Sequence, residues 1–193
     1  MKELSLHLLD VAKNSVAAGA SHVSITLDED PEGWLTIAIA DDGRGMAPEF
    51  LARVTDPFTT TRTTRSVGLG LPLYRMTAEQ TGGSLDIQSQ VGKGTTVTAR
   101  FQRRHLDCPP LGDMAGAVAL LIQGSPDIEL TYRHATPRGE AALSTEELKE
   151  ILGEDVSLAE PEIFAWIQDY LTEQETEAAV DVIPAAGIEG EIT

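Results

Sequence analysis

The chain has 193 residues, 41% hydrophobic and 23% charged, a composition that suits a globular protein with a sizeable core and excludes a fibrous or wholly disordered one. Its single cysteine, Cys108, excludes an intrachain disulfide and a multi-cysteine metal site, and no apolar run reaches membrane-spanning length. The formal charge of −17 is lopsided, with 11 bases against 12 acids in residues 1–104 and only 3 against 19 in residues 105–193. An acidic second half argues against nucleic acid as the main partner and leaves a basic protein partner or a plain solvated surface. With no signal-peptide pattern at the start, a cytoplasmic setting is expected.

Residues 3–20, ELSLHLLDVAKNSVAAGA, place Leu4, Leu8 and Val11 at helical spacing, widened by Leu9, Ala12 and Val16, which predicts a buried amphipathic helix. Asp10 and Asn14 are four apart and share one face, with His7 on roughly the same side. Both could simply face solvent. Alternatively, the Asn14 oxygen can join a magnesium shell completed by phosphates and water. Asp10, one turn away, can then orient or deprotonate a nucleophile at a terminal phosphate. Gly19 can end the helix, residues 21–28 alternate as a half-buried strand, and 34–40 return as its antiparallel partner across an Asp-Pro-Glu-Gly turn.

That second strand runs into Asp41-Asp42-Gly43-Arg44-Gly45-Met46, where two glycines permit a tight turn and the close approach of a ligand. The Asp41 carboxylate can only accept hydrogen bonds, which suits an exocyclic amine such as that of adenine. Residues 47–53 read as a short helix. A hydroxyl-rich loop with Phe58, Arg62 and Arg65 follows, closing in Val67-Gly68-Leu69-Gly70-Leu71 ahead of a helix over 71–80. Glycine-rich backbone opening a helix offers free N–H groups and a positive dipole end to phosphates, which the two arginines can neutralise. Strands over 84–90 and 95–101 then flank a Gly92-Lys93-Gly94 turn.

The segments DVAKN, DDGRG, DPFTTTR, VGLGL and GKGTT, in this order, resemble the ATPase family of gyrase, the Hsp90 chaperone, histidine kinases and MutL, over residues 1–103. The opening stretch is most similar to MutL, and FTTTR and VGLGL to histidine kinases. The resemblance implies an α+β fold, a two-layer α/β sandwich of the Bergerat ATP-binding type, with ATP and Mg2+ as cofactors. By it, Asn14 would ligate the magnesium and Asp10 would stand where a general base acts. Asp41 would receive the adenine amine, with Gly43, Gly45 and Met46 around the base. Phe58 would anchor the lid loop, Arg62 would approach the terminal phosphate, and Gly68, Leu69, Gly70 and Leu71 would meet the phosphates. Thr95 would place a hydroxyl beside the adenine pocket. For Phe58 and Thr95, packing and strand propensity are the plainer readings.

Three departures bear on activity. Ala17 stands where relatives often carry a charged or polar residue, Ser66 replaces the first lid glycine, and Asp10 is a methylene shorter than glutamate. A base misplaced by about 1 Å can lose roughly 100-fold in rate.

Residues 104–172 read as a small α/β appendage after a proline-containing linker at 107–110. A helix is predicted over 112–122, and a hairpin pairs 127–132 with 140–143. Ser144-Thr145-Glu146-Glu147 is a capping box before 148–152, and a last helix spans 163–171. Residues 173–193, acidic and without bases, read as a disordered tail. The likeness implies a Mg-ATP-binding regulatory protein that hydrolyses ATP slowly or passes phosphate to a separate phosphoacceptor protein, since no histidine lies in a recognisable phosphoacceptor helix. The alternative is a non-catalytic ATP-sensing module. The layout also resembles stand-alone bacterial ATP-binding proteins, some encoded beside iron-only hydrogenase genes, which would make it an accessory to a redox enzyme. ATP-dependent homodimerisation, as in MutL-like switches, is a third expectation. No role on nucleic acid or membrane is expected.

Overall fold

The computed structural model describes residues 3–56, 70–153 and 156–179. Helix α1 (Leu4–Ala17) buries Leu4, Leu8, Leu9, Val11 and Ala12 on one side, as its apolar spacing requires. Strands β1 (His22–Glu29) and β2 (Trp34–Asp41) form an antiparallel hairpin with Ile25 opposite Ile39 and Leu27 opposite Ile37. Asp30 closes the turn, its carboxylate accepting from the Trp34 N–H at 2.8 Å. A one-turn helix α2 (Pro48–Leu51) follows, then α3 (Gly70–Gln80), β3 (Ser84–Gln90) and β4 (Gly94–Gln102). Strand β4 pairs with both β2 and β3, setting Phe101 opposite Leu35 and Ala99 opposite Ile37.

The C-terminal region supplies α4 (Met114–Gly124), β5 (Glu129–Ala135), β6 (Glu140–Ser144), α5 (Thr145–Leu152) and α6 (Pro161–Ala178). Its strands enter the sheet begun by the first hundred residues. Strand β5 pairs parallel with β1, placing Tyr132 beside Ile25, and the six strands run in the order β3-β4-β2-β1-β5-β6. Leu130, Tyr132, Ile167 and Leu171 share one core with Leu4, Leu8 and Ile25. The region read from sequence as an appendage thus extends the existing sheet and covers the hydrogen-bonding edge that β1 would otherwise expose. Every second residue of β1, β2, β4, β5 and β6 points to one buried face. Helices α3, α1, α4 and α6 pack side by side over that face, making the two-layer α+β sandwich.

Helix α6 is longer than its apolar pattern predicts. It runs through residues assigned to the acidic tail and stops at Ala178, because those residues find partners on the sheet. The Gln174 amide oxygen accepts from the Ala142 N–H at 2.8 Å, and the Thr136 hydroxyl donates to the Ala178 carbonyl at 2.6 Å. Glu175 accepts from the Tyr132 hydroxyl at 2.6 Å and meets His134 Nδ1 at 2.7 Å. On its other side, His134 Nε2 lies 3.2 Å from Glu29, which also accepts from Arg103 at 3.0 Å. Burial opposes a charge on His134, but the Glu175 and Glu29 carboxylates outweigh it and raise its pKa to about 9. This ionic knot ties the ends of β1 and β4 to the last helix. The rest of the predicted tail, 180–193, lies outside the described residues.

Candidate functional site

A cavity of about 230 Å³ opens between α1, the loop after β2, α2, the start of α3 and β4. Helical spacing brings Val11, Asn14, Ser15 and Ala18 onto one wall. Met46, Phe50, Val54, Leu71 and Val97 complete an apolar enclosure, and Asp41, Arg44 and Thr95 supply polar atoms at its edge. A mostly apolar hollow with a few fixed polar groups fits a flat heteroaromatic ring better than a charged solute.

The two consecutive aspartates at the end of β2 make different contacts. Asp42 is occupied: its carboxylate accepts from the Ser21 and His22 N–H groups at 2.7 and 2.9 Å and meets His22 Nδ1 at 2.9 Å. The His22 backbone and ring contacts, with the Ser21 N–H, hold its pKa down to about 2. Asp41 lines the cavity. Its Oδ1 accepts from the Gly43 N–H at 2.9 Å and the Thr95 N–H at 3.2 Å. That fixes the carboxylate and leaves Oδ2 available as an acceptor.

The loop is stitched from both sides. Arg44 donates its N–H to the Ala18 carbonyl at 3.0 Å, and the Gly92 N–H donates to the Arg44 carbonyl at 2.8 Å. The Met46 N–H donates to the Ser89 hydroxyl at 2.8 Å, which in turn contacts the Gly94 carbonyl and the Thr95 hydroxyl at 3.0 and 2.8 Å. Both loop glycines are also required by the protein's own packing. Gly45, at φ +67°, would drive a Cβ into the Gln90 carbonyl, so only glycine lets the loop lie on the β3–β4 turn. Gly43 is outside the cavity lining, and a Cβ there would meet Ala18 and the Asp41 carboxylate at 3.0 Å.

Of the residues singled out from sequence, Asn14, Asp41, Gly45, Met46, Leu71 and Thr95 line one cavity. Gly70 opens α3, where a Cβ would lie 3.6 Å from Asp10 Cβ. Asp10 is exposed and is not among the lining residues. Phe58, Arg62, Gly68 and Leu69, like Ser66, lie outside the described residues. Sequence reasoning missed Val11, Ser15, Ala18, Phe50, Val54 and Val97. The helix period around Asn14 and the strand period around Thr95 could have found four of them. No group of three or more His, Cys, Asp or Glu suited to a metal ion exists among the described residues. Asn14, the one carboxamide among the described lining residues, suits an ion that brings its other ligands with it, as magnesium does on polyphosphate. Among those residues no helix is long and apolar enough to cross a membrane.

Comparison with known proteins bears on the same part of the chain. The profile of the histidine kinase-, DNA gyrase B-, and HSP90-like ATPases matches residues 2–105, over half the chain. The sensor protein SrrB of Staphylococcus aureus is 39% identical over 108 residues, covering 53% of this chain and 18% of SrrB. The chain therefore spans about a fifth of the length of the curated relatives it matches. In fold it is similar to the N-terminal domain of a DNA repair protein, with TM-score 0.53 and 17% identity over 75% of this chain and 53% of that one. Full-length ShkA in complex with AMPPNP is also similar, at TM-score 0.42 and 28% identity, over 50% of this chain and 20% of ShkA. The ATP-binding fold expected from the glycine motifs is thus borne out, and the chain belongs to the family of histidine kinase-, DNA gyrase B- and HSP90-like ATPases.

Proposed function

We propose that the protein is a Mg-ATP-dependent regulator that hydrolyses ATP slowly or passes its terminal phosphate to a separate protein. The observation that carries the reading is the pairing of a rigidly held Asp41 with Asn14 in one apolar cavity. The free Asp41 oxygen accepts the exocyclic amine of adenine, and Val11, Met46, Phe50, Leu71 and Val97 take the faces and edges of the base. Asn14 offers its carboxamide oxygen to Mg2+, which when bound neutralises phosphate charge. The N-terminus of α3 at Gly70 presents N–H groups to the phosphates. Asp10, beside Gly70, orients the attacking water or acceptor hydroxyl and takes its proton.

A second reading has an observation in its favour. Asp10 is exposed and makes no hydrogen bond to a described residue, so nothing there holds a base in line for attack. Under this reading ATP only orders the region around the cavity and the protein acts as a sensor. Incubation with terminally labelled ATP, alone and with lysate, separates the two. The catalytic reading expects released phosphate or a labelled protein from the wild type, and at least a tenfold loss in Asp10→Asn with ATP affinity kept. Wild-type turnover in Asp10→Asn would remove Asp10 as the base, and no product at all would favour the sensor. Asp41→Ala is expected to weaken ATP binding about 10- to 100-fold, the size of one lost charge-assisted hydrogen bond.

A further inference from the structure

Helix α6 turns Ile167, Leu171 and Ala178 into the core and leaves an unusual outer surface. Trp166 and Tyr170, one turn apart, stack with ring centroids 5.1 Å apart and planes 11° from parallel, yet stay 48% and 37% exposed. Alongside them Asp169, Glu173 and Glu177 form a row at successive i, i+4 positions, all exposed, and Glu162 lies one turn before Trp166. The helix carries five acids and no lysine or arginine, and its last turn has no base. None of Asp169, Glu173 and Glu177 has an ion-pair partner among the described residues.

Two local rules are broken here together. Like charges four apart repel, and carboxylates near a helix C-terminus face the negative end of its dipole. Large aromatics at solvent positions lose the gain of burial. Arg138 donates to the Ala179 carbonyl at 2.9 Å and eases the dipole end, but among the described residues no ion pair relieves the carboxylate row, and such departures mark surfaces that serve something outside the fold.

We propose that this face of α6 docks a basic segment of a partner protein. Arginine or lysine side chains lay their stems and cationic heads on the Trp166–Tyr170 stack while Asp169, Glu173 and Glu177 take the charges. The chain already contains such a contact, with the Arg100 guanidinium 4.4 Å from the centroid of the Trp34 ring. Charge selects the occupant. The carboxylate row repels nucleic acid and anionic lipid, and a second copy, itself at −17, would set one acidic row against another. No cavity-lining residue comes from α4 or α6, so a docked partner leaves the cavity open, and the inference is independent of what that cavity holds.

The test titrates the full-length chain against a fluorescein-labelled peptide of Leu-Arg-Arg repeats and its Leu-Glu-Glu counterpart, read by anisotropy. The arginine peptide is expected to bind and the glutamate peptide not. Trp166→Ala/Tyr170→Ala should weaken binding at least tenfold, with Trp166→Phe/Tyr170→Phe restoring most of it. Asp169→Lys/Glu173→Lys/Glu177→Lys should abolish it, with far-UV circular dichroism unchanged. A matched reversal on α5, Glu146→Lys/Glu147→Lys/Glu150→Lys, should leave affinity within threefold. Equal loss from the α5 variant, or no loss from either α6 variant, would overturn the proposal. So would a wild-type dimer in sedimentation that Trp166→Ala converts to monomer, since a second copy would then cover the face.

Discussion

Two buried histidine–tyrosine pairs, one between α1 and α3 and one on β5 beneath α6, have opposite chemistry. Near the cavity, His7 of α1 stacks on Tyr74 of α3 with centroids 5.1 Å apart. His7 Nε2 lies 3.3 Å from the Thr77 hydroxyl, but His7 Nδ1 and the Tyr74 hydroxyl reach no partner among the described residues. Burial drives the His7 pKa down to about 4, so the ring is neutral. Beneath α6, His134 and Tyr132 are just as buried, but both bind Glu175, and His134 carries a proton at neutral pH. Burial alone therefore does not decide the charge of a histidine; the partners it meets do. The first joint is ring stacking with a single histidine–threonine contact between the helix bearing Asn14 and the one that opens at Gly70. The second is a directional clamp on the C-terminal helix. Any rearrangement that accompanies ligand binding is expected at the first.

The largest effect should come from breaking the clamp. His134→Ala leaves the half-buried Glu175 carboxylate without its cation, Glu29 keeping Arg103, and should cost about 3 kcal/mol in urea unfolding. The pH dependence comes next and separates the joints by sign. Native His134, at about 9, holds a proton that an unfolded histidine of ordinary pKa 6.5 releases. Its contribution is complete below about 6.5 and is lost as pH rises through about 9. Native His7, at about 4, stays neutral while the unfolded chain takes up a proton, so stability falls as pH drops from 6.5 towards 4. Urea midpoints across pH 4–9 should show both limbs. His134→Gln should flatten the alkaline limb alone, and His7→Phe the acid one; slopes that respond to neither variant would falsify the assignment.

The tyrosines give the sharpest contrast for the smallest change. Tyr132→Phe removes a hydroxyl bonded to a carboxylate and should cost about 1.5–3 kcal/mol. Tyr74→Phe removes a hydroxyl with no partner among the described residues and should be neutral or stabilise by about 1 kcal/mol. Thermal unfolding should therefore move down for the first and hold or rise by a few degrees for the second. Equal losses would mean that the Tyr74 hydroxyl has a polar partner after all.

Local patterns carried much of this protein into view. Helical spacing set α1 and the shared face of Asp10 and Asn14, and strand alternation with the Asp30–Gly33 turn set the β1–β2 hairpin. The glycine segments located the cavity's rim, since a loop that must lie on another backbone admits little else, as Gly45 shows against Gln90. These are short-range constraints, imposed by neighbours in the chain, and a sequence displays them directly. Long-range pairing is different. That β5 joins β1 in parallel, that Asp42 is occupied and Asp41 has an oxygen to spare, and that Glu175 belongs to a helix rather than to a tail depend on partners roughly 20 to 105 residues away. Residue types at those positions fit several registers equally well. By itself the sequence determined the elements and the kind of ligand they could hold. Tertiary structure decided which carboxylates are free, which histidine is charged and how far the last helix runs, because each depends on desolvation and on contacts that exist only once distant strands have met.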